Sequence, residues 1–195
     1  MPREMSLKQY RTMDLLFFTA AACVCEALIV LAATRWFPQE PYTLSITPAI
    51  TAIVMVRWGA FAAVPAVFGA LALCIASGAQ IPQLAVYCAG NLPALLLLVW
   101  LRRATWRKLC GNVLITMLYG WMTALLMQIG RACVALALGY GPGAALGFIT
   151  TDVLSSLFAV LLVWICRRLD GMLEAQTDYI RRIQDEMSKA GGTDV

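Results

Sequence analysis

Long apolar runs alternate with short polar segments along most of the chain. A run of about 20 apolar residues can cross roughly 30 Å of hydrocarbon as an α-helix. The pattern therefore predicts an all-α integral membrane protein with six transmembrane helices. The expected spans are 14–34, 42–56, 60–77, 83–101, 109–138 and 144–166. The fifth is long, so we expect it to be tilted, kinked near Gly120 or Gly130, or partly outside the bilayer.

The segment after Cys166 has a different pattern, with apolar residues at helical spacing and charges between them. This pattern predicts an amphipathic helix. We therefore divide the chain into a six-helix transmembrane domain, 1–166, and a cytoplasmic amphipathic tail, 167–195. The tail either lies on the membrane surface or contacts a cytoplasmic partner.

Composition and charge agree with burial in lipid. The 195 residues are 61% hydrophobic and 13% charged, whereas a soluble domain is about half apolar and a quarter charged. Lys and Arg concentrate at both chain ends and in the second and fourth loops, while the other loops carry only Arg35. This alternation predicts a plasma (inner) membrane protein with the N- and C-termini cytoplasmic, and it explains the net charge of +4 without a nucleic-acid partner.

Cysteine and histidine usage gives no sign of metal or redox chemistry. The seven cysteines form no CxxC pair, and the chain has no histidine. We therefore expect packing cysteines, no disulfide framework, no metal site and no cofactor. The chain also lacks a Walker motif, so we expect that it is not an enzyme and that any ATP hydrolysis belongs to partner subunits.

Four residues that are costly to bury fall well inside the predicted spans, where each charge costs at least about 2.5–3.5 kcal/mol. They are Glu26, Asn91, Arg131 and Asp152. Counting from the outer ends of their spans places all four at one level, roughly 10–12 Å below the outer surface at helical rise. Gln128 lies one helical turn deeper in the membrane than Arg131. The coincidence predicts a polar pocket that opens to the outside.

Two interpretations of this level are open. Arg131 pairs with Asp152 or Glu26 only to hold helices together, or the residues bind a ligand or ion. Two carboxylates and one Arg leave a surplus negative charge, and intramembrane ionisable residues are usually functional, so we favour a ligand. Arg131 would then anchor an anionic or carbonyl group, Asp152 and Glu26 would orient Arg131 or accept bonds from an amine, and Asn91 would contact a heterocycle edge.

Aromatic residues near the outer ends complete the expected site. Tyr87 lies one turn outward of Asn91, and Trp36 and Tyr140 lie in or beside outer loops. Trp36 and Tyr140 would close over the ligand, although interfacial aromatics are also ordinary membrane anchors. The expected substrate-binding residues are Glu26, Trp36, Tyr87, Asn91, Gln128, Arg131, Tyr140 and Asp152.

Two stripes of small residues predict close helix contacts. They comprise Ala62, Ala66 and Ala70 in the third span and Thr19, Cys23 and Ala27 in the first. Small residues spaced by four let a second helix approach closely. The stripes serve either packing inside the bundle or docking of a second membrane protein.

Three stretches carry a resemblance to a known family. They read YTLSITP at 42–48, VMVRWGA at 54–60 and YCAGN at 87–91. With the chain length and the predicted spans, they resemble the substrate-binding S components of energy-coupling factor (ECF) transporters, over most of the chain. The resemblance implies capture of a small water-soluble vitamin or related micronutrient at the extracellular side. It also implies docking on an ECF transmembrane (T) subunit that carries two ATPase subunits.

The resemblance maps unevenly onto individual residues. Asn91, Arg131 and Asp152 match the places from which the family takes ligand contacts, and Glu26 does not map onto the family. The family docks through an AxxxA face on its first span. In this chain the motif is degraded, and the stripe of Thr19, Cys23 and Ala27 stands in its place.

Two other function classes remain open beside the transporter component. One is a structural or assembly protein similar to the cell-shape membrane protein MreD, which needs no ligand. The other is a small ion-coupled transporter with Glu26 and Asp152 as proton carriers. The arrangement of polar residues at one level near the outer surface favours ligand capture over both alternatives.

Overall fold

A computed structural model describes residues 6–39, 44–103, 109 and 111–191 of the chain. Within these ranges all regular structure is helical, which confirms the predicted all-α class. Short 3₁₀ turns at Gly59–Ala62 and Leu92–Leu96 interrupt the α-helices. The helices are α1 Leu7–Trp36, α2 Thr47–Trp58, α3 Ala63–Ala76, α4 Ile81–Gly90, α5 Leu97–Arg103, α6 Val113–Ala137, α7 Pro142–Thr150, α8 Val153–Cys166 and α9 Gln176–Gly191.

In the described part of the chain, five helical segments are long and apolar enough to cross a membrane, which indicates a multi-pass membrane protein. They are Leu7–Trp36, Thr47–Ala76, Ile81–Leu101, Val113–Ala137 and Pro142–Cys166. The second contains both the second and the third predicted spans. Whether the chain crosses the membrane six times therefore depends on whether this segment crosses once or folds back on itself.

The second segment folds back on itself at Gly59, whose φ of +62° suits glycine far better than a residue with a side chain. Thr47, at the start of α2, lies beside Gly69 in the middle of α3, where an added Cβ would be 2.4 Å from the Thr47 Oγ1. The two helices are therefore antiparallel. With 12 residues, α2 is about 18 Å long, too short to cross the hydrocarbon alone.

Helix α2 is the centre of the bundle. Every residue from Thr47 to Val56 is buried, and α1, α3, α6 and α8 pack around it. A helix that is buried on all sides needs an apolar surface on all sides. The predicted span 42–56 is corrected accordingly, because the helix begins only at Thr47 and residues 40–43 lie outside the described part of the chain.

Two further predicted spans are also interrupted. Helix α4 gives way to a 3₁₀ turn at Asn91, where Pro93 lacks the N–H that a continuing α-helix requires. Helix α7 ends before Asp152, and α8 begins immediately after it. By contrast, α6 runs without interruption past Gly120 and Gly130, the two positions named for a kink, which was one of three alternatives beside a tilt and a part outside the bilayer.

Both described ends of the chain meet at one end of the bundle. The Tyr10 hydroxyl donates to the Gln176 Oε1 at 3.1 Å, and the Arg57 Nη1 donates to the Gly171 carbonyl at 2.8 Å. Arg57 also forms two 2.9 Å hydrogen bonds with the carboxylate of Asp14. This arrangement fits an even number of passes. The expected tail helix is present from residue 176, after turns at 167–175.

Candidate functional site

Arg131 on α6 lies at the centre of a buried polar cluster and is only 2% exposed. Its Nη1 donates to the Asp152 Oδ2 at 2.6 Å, and its Nε donates to the Asn91 Oδ1 at 2.8 Å. The Tyr87 ring covers the guanidinium, with 4.7 Å between the ring centroid and Cζ. The structure therefore brings four of the expected site residues into direct contact.

The helix interruptions place these side chains. Asn91 follows the last residue of α4, and Asp152 lies between α7 and α8. The Asn91 Nδ2 donates to the Ala66 carbonyl of α3 at 3.0 Å, so that one amide joins three helices. Gln128 donates to the Asp152 carbonyl at 2.9 Å and to the Ser156 Oγ at 2.7 Å. Its amide thereby supports the α7–α8 break.

Glu26 has partners different from those we expected. Its Oε1 accepts hydrogen bonds from the Ser45 Oγ at 2.5 Å, from the Thr47 Oγ1 at 2.6 Å and from the Thr47 N–H at 2.8 Å. The carboxyl group of α1 thus caps the N-terminus of α2, where backbone N–H groups lack partners within their own helix. Glu26 was expected to orient Arg131 or to accept hydrogen bonds from an amine, and in the described residues its hydrogen bonds come from Ser45 and Thr47 instead.

Two serines join Glu26 to the Arg131 cluster. The Ser45 N–H donates to the Ser155 Oγ at 2.9 Å, and the Ser155 hydroxyl donates to the Asp152 Oδ1. The result is one hydrogen-bonded network from Glu26 to Asn91. Sequence reasoning missed its hydroxyl members, although Ser and Thr beside Pro48 are an ordinary signal of a helix N-terminus. These hydroxyl residues are Ser45, Thr47, Ser155 and Ser156.

The network is closed, whereas the sequence predicted a pocket open to the outside. Each of its members is 3% exposed or less. The aromatic cover also differs from the expected one. The Tyr87 ring covers Arg131, and Phe148 packs edge-on against Tyr87, with 5.7 Å between ring centroids.

The structure places the two expected lid residues elsewhere. Trp36 is 72% exposed and lines a cavity of about 700 Å³ with Phe37 and Leu44. Tyr140 packs in an apolar cluster with Val86 and Ala145. Neither arrangement resembles a lid over Arg131. The cavity beside Trp36 is predominantly apolar, and it reaches Leu154, two residues after Asp152.

The small-residue stripe of the third predicted span packs inside the bundle. Ala62, Ala66 and Ala70 are buried, and Ala66 packs with Ala94 and Met127. A partner helix would have to displace these neighbours to reach them, so the structure favours internal packing over docking for the α3 stripe.

The stripe on α1 keeps some surface. Thr19, Cys23 and Ala27 are partly exposed, and the Cys23 thiol donates to the Phe68 carbonyl of α3 at 3.5 Å. Thr19 and Cys23 line a groove between α1 and α3. Of the two stripes, only this one remains accessible to a second membrane protein.

Comparisons with known proteins add no assignment, since no family model, no curated protein and no solved structure matches the chain. Among the described residues, no three His, Cys, Asp or Glu side chains group as metal ligands would. The geometry of the buried network therefore carries the functional argument.

Proposed function

We propose that this chain is a membrane-embedded capture subunit for a small polar solute, of the kind that the S components of ECF transporters represent. The observation that carries the proposal is the cluster of Arg131, Asp152 and Asn91 at two helix interruptions. In transporters, substrate sites commonly form where discontinuous helices place polar groups inside the bundle. Packing alone does not need an intramembrane ion pair.

The contacts of Arg131 indicate which solutes would fit. The guanidinium fork presently binds one carboxylate and one amide oxygen. A solute with a carboxylate or carbonyl group offers the same chemistry and can exchange for Asp152 or Asn91. The structure would then represent the closed state without solute, and entry requires the Tyr87 and Phe148 rings to separate. A water-soluble vitamin or related micronutrient has suitable groups.

The partners in this proposal are a T subunit and two ATPase subunits, because the chain has no nucleotide-binding motif of its own. The alternation of basic and non-basic loops along the sequence supports a plasma (inner) membrane location with both termini cytoplasmic. Solute would then enter from the extracellular side. The partly exposed face of Thr19, Cys23 and Ala27 is the docking surface that remains for the T subunit.

Native mass spectrometry of the purified protein, soaked in a mixture of vitamins, tests solute capture. The informative variant is the double substitution Arg131→Met/Asp152→Asn, since removing Arg131 alone would leave a buried carboxylate unpaired at a cost of about 3–5 kcal/mol. We expect a small bound mass on the wild type and none on the folded double variant.

The matched control removes a second ion pair, which is exposed. Arg182 and Asp170 are 3.0 Å apart at the surface, so Arg182→Met/Asp170→Asn should retain the bound mass. Equal solute binding by the Arg131→Met/Asp152→Asn protein would contradict the assignment of the site.

The closed state of the network favours a second candidate, a structural or assembly protein resembling MreD. Arg131 is neutralised by Asp152 without any solute, and a network that binds helices together needs nothing more. In that case no mass would bind the wild type in the vitamin mixture, and the protein would not copurify with T and ATPase subunits.

A further inference from the structure

Glu26 presents a buried oxygen atom that the capping contact does not use. The whole residue is 0% exposed, and all its hydrogen bonds from Ser45 and Thr47 go to Oε1. Within the described part of the chain, no hydrogen-bond partner reaches the buried Oε2. One oxygen of this carboxyl group is therefore fully engaged, while the other is buried without a hydrogen-bond partner among the described residues.

The charges in the bundle leave Glu26 without a counterion. Arg131 is the cation of the described membrane interior, and it forms its ion pair with Asp152. The other described cations with ion pairs, Arg57 and Arg182, lie at the end of the bundle or beyond it. An ionised carboxylate enclosed in a low-dielectric interior is far less favourable than a neutral acid.

The other groups around Glu26 do not supply a positive charge. Helix α2 presents only hydroxyls and backbone N–H groups to it. Cys23 on α1 and Tyr87 on α4 interact with it electrostatically, and neither side chain carries a positive charge. Asp152, between α7 and α8 and reached through Ser155, is a further acid.

We propose that Glu26 is a proton-binding site in the membrane interior, with the proton on Oε2 and the carbonyl-like Oε1 accepting the hydrogen bonds that cap α2. A neutral acid divides its two oxygens in this way, because one carries the hydrogen and the other accepts. Sodium fits less well, since a metal cation needs several oxygen ligands and the hydroxyls of Ser45 and Thr47 both direct their hydrogens at Oε1.

The proton connects to the candidate solute site through Ser45. The Ser45 hydroxyl donates a hydrogen bond to Glu26, and the Ser45 backbone N–H donates one to Ser155. The Ser155 hydroxyl in turn donates to Asp152. Loss of the proton would strengthen the hydrogen bond from Ser45 to Glu26 and alter the position of the Asp152 carboxylate beside Arg131. The proton site itself does not depend on the proposed function, and its test requires no solute.

Infrared spectroscopy of the full chain in lipid vesicles, without added sodium, tests the proposal by comparing the wild-type spectrum with the spectrum of each variant. The wild type at neutral pH should show the C=O stretching band of a protonated carboxylic acid. This band should disappear in Glu26→Gln, which mimics the neutral acid, and persist in Glu186→Gln, an exposed position. Absence of the band in the wild type, or a Glu26 carboxylate band that appears on adding sodium, would overturn the proton assignment.

A labelling experiment on the wild type removes any dependence on folding of the variant. A hydrophobic carbodiimide adds to a protonated buried acid, and the O-acylisourea rearranges to a stable N-acylurea whose mass is the sum of both reactants. Peptide mass spectrometry should locate this adduct at Glu26 at neutral pH, and the yield should fall as the pH rises. An unlabelled Glu26, or labelling that sodium suppresses at constant pH, would contradict the proposal.

Discussion

Two glycines determine how closely the helices that carry Asn91 and Arg131 approach each other. A Cβ on Gly130 of α6 would lie 2.2 Å from the carbonyl oxygen of Gly90 on α4, and one on Gly90 would lie 2.5 Å from the Arg131 Cα. Backbone contact at this distance tolerates no side chain. The hydrogen bond between Arg131 and Asn91 thus depends on two residues that contribute no functional group.

Gly130→Ala should destabilise the bundle, because the added methyl group meets backbone atoms that cannot rotate away. We expect a loss of about 1–3 kcal/mol, as in other overpacked interiors, and a lower midpoint of thermal unfolding in detergent. Gly147→Ala is the control, since its Cβ would enter open space within α7 and alanine favours a helix over glycine by up to about 1 kcal/mol. Equal midpoints for the two variants would show that the close contact is not present.

Three of the helices around the buried network begin or end inside the bundle. Helix α2 begins at Thr47, α4 ends at Gly90, and α8 begins at Val153. Each break leaves backbone groups without partners in their own helix, and hydrocarbon offers none. Polar side chains from other helices fill this need, as Glu26 does for α2 and Gln128 does for the α7–α8 break.

Two threonines on α2 test the capping contact as a matched pair. Both are buried, but the Thr47 hydroxyl donates to Glu26, whereas the Thr51 hydroxyl has no hydrogen-bond partner within the described residues. Valine has nearly the same shape and no hydroxyl. Thr47→Val should therefore lower the free energy of unfolding by about 1–3 kcal/mol, while Thr51→Val should leave it unchanged or raise it. Unfolding in a denaturing detergent would measure both, and equal losses would contradict the capping role.

The whole molecule has one end held together by charged and polar contacts. Arg57, Asp14 and the Gly171 carbonyl join α1, the α2–α3 turn and the C-terminal segment there. Arg11 and Arg57 lie at this end, so the positive-inside rule predicts that it faces the cytoplasm. Arg35, at the other end of α1, should then lie outside.

Cysteine labelling with a membrane-impermeant maleimide would test this orientation. Arg181 and Arg35 are both exposed, at opposite ends of the molecule. We expect Arg35→Cys to react in right-side-out vesicles and Arg181→Cys to react only in inside-out vesicles, each measured against the unsubstituted chain. The opposite pattern would place the termini outside and would contradict entry of solute from the extracellular side.

The sequence by itself determined the helical class, the membrane location and which polar residues would lie in the interior. These properties belong to single positions and short windows, because hydropathy and the cost of burying a charge do not depend on distant contacts. Asn91, Arg131 and Asp152 therefore stand out from the sequence alone, as polar residues within apolar runs. Periodicity could not show that α2 is a short central helix, since the residues on all its faces are equally apolar.

Only the tertiary structure decided which groups meet. Ser45 and Ser155 are 110 positions apart and yet complete the connection between Glu26 and Asp152. The burial of Ala66 and the exposure of Trp36 likewise follow from how each helix is rotated against its neighbours. Such pairings arise from packing between segments distant in the chain, and for that reason the sequence predicted an open pocket where the fold forms a closed network.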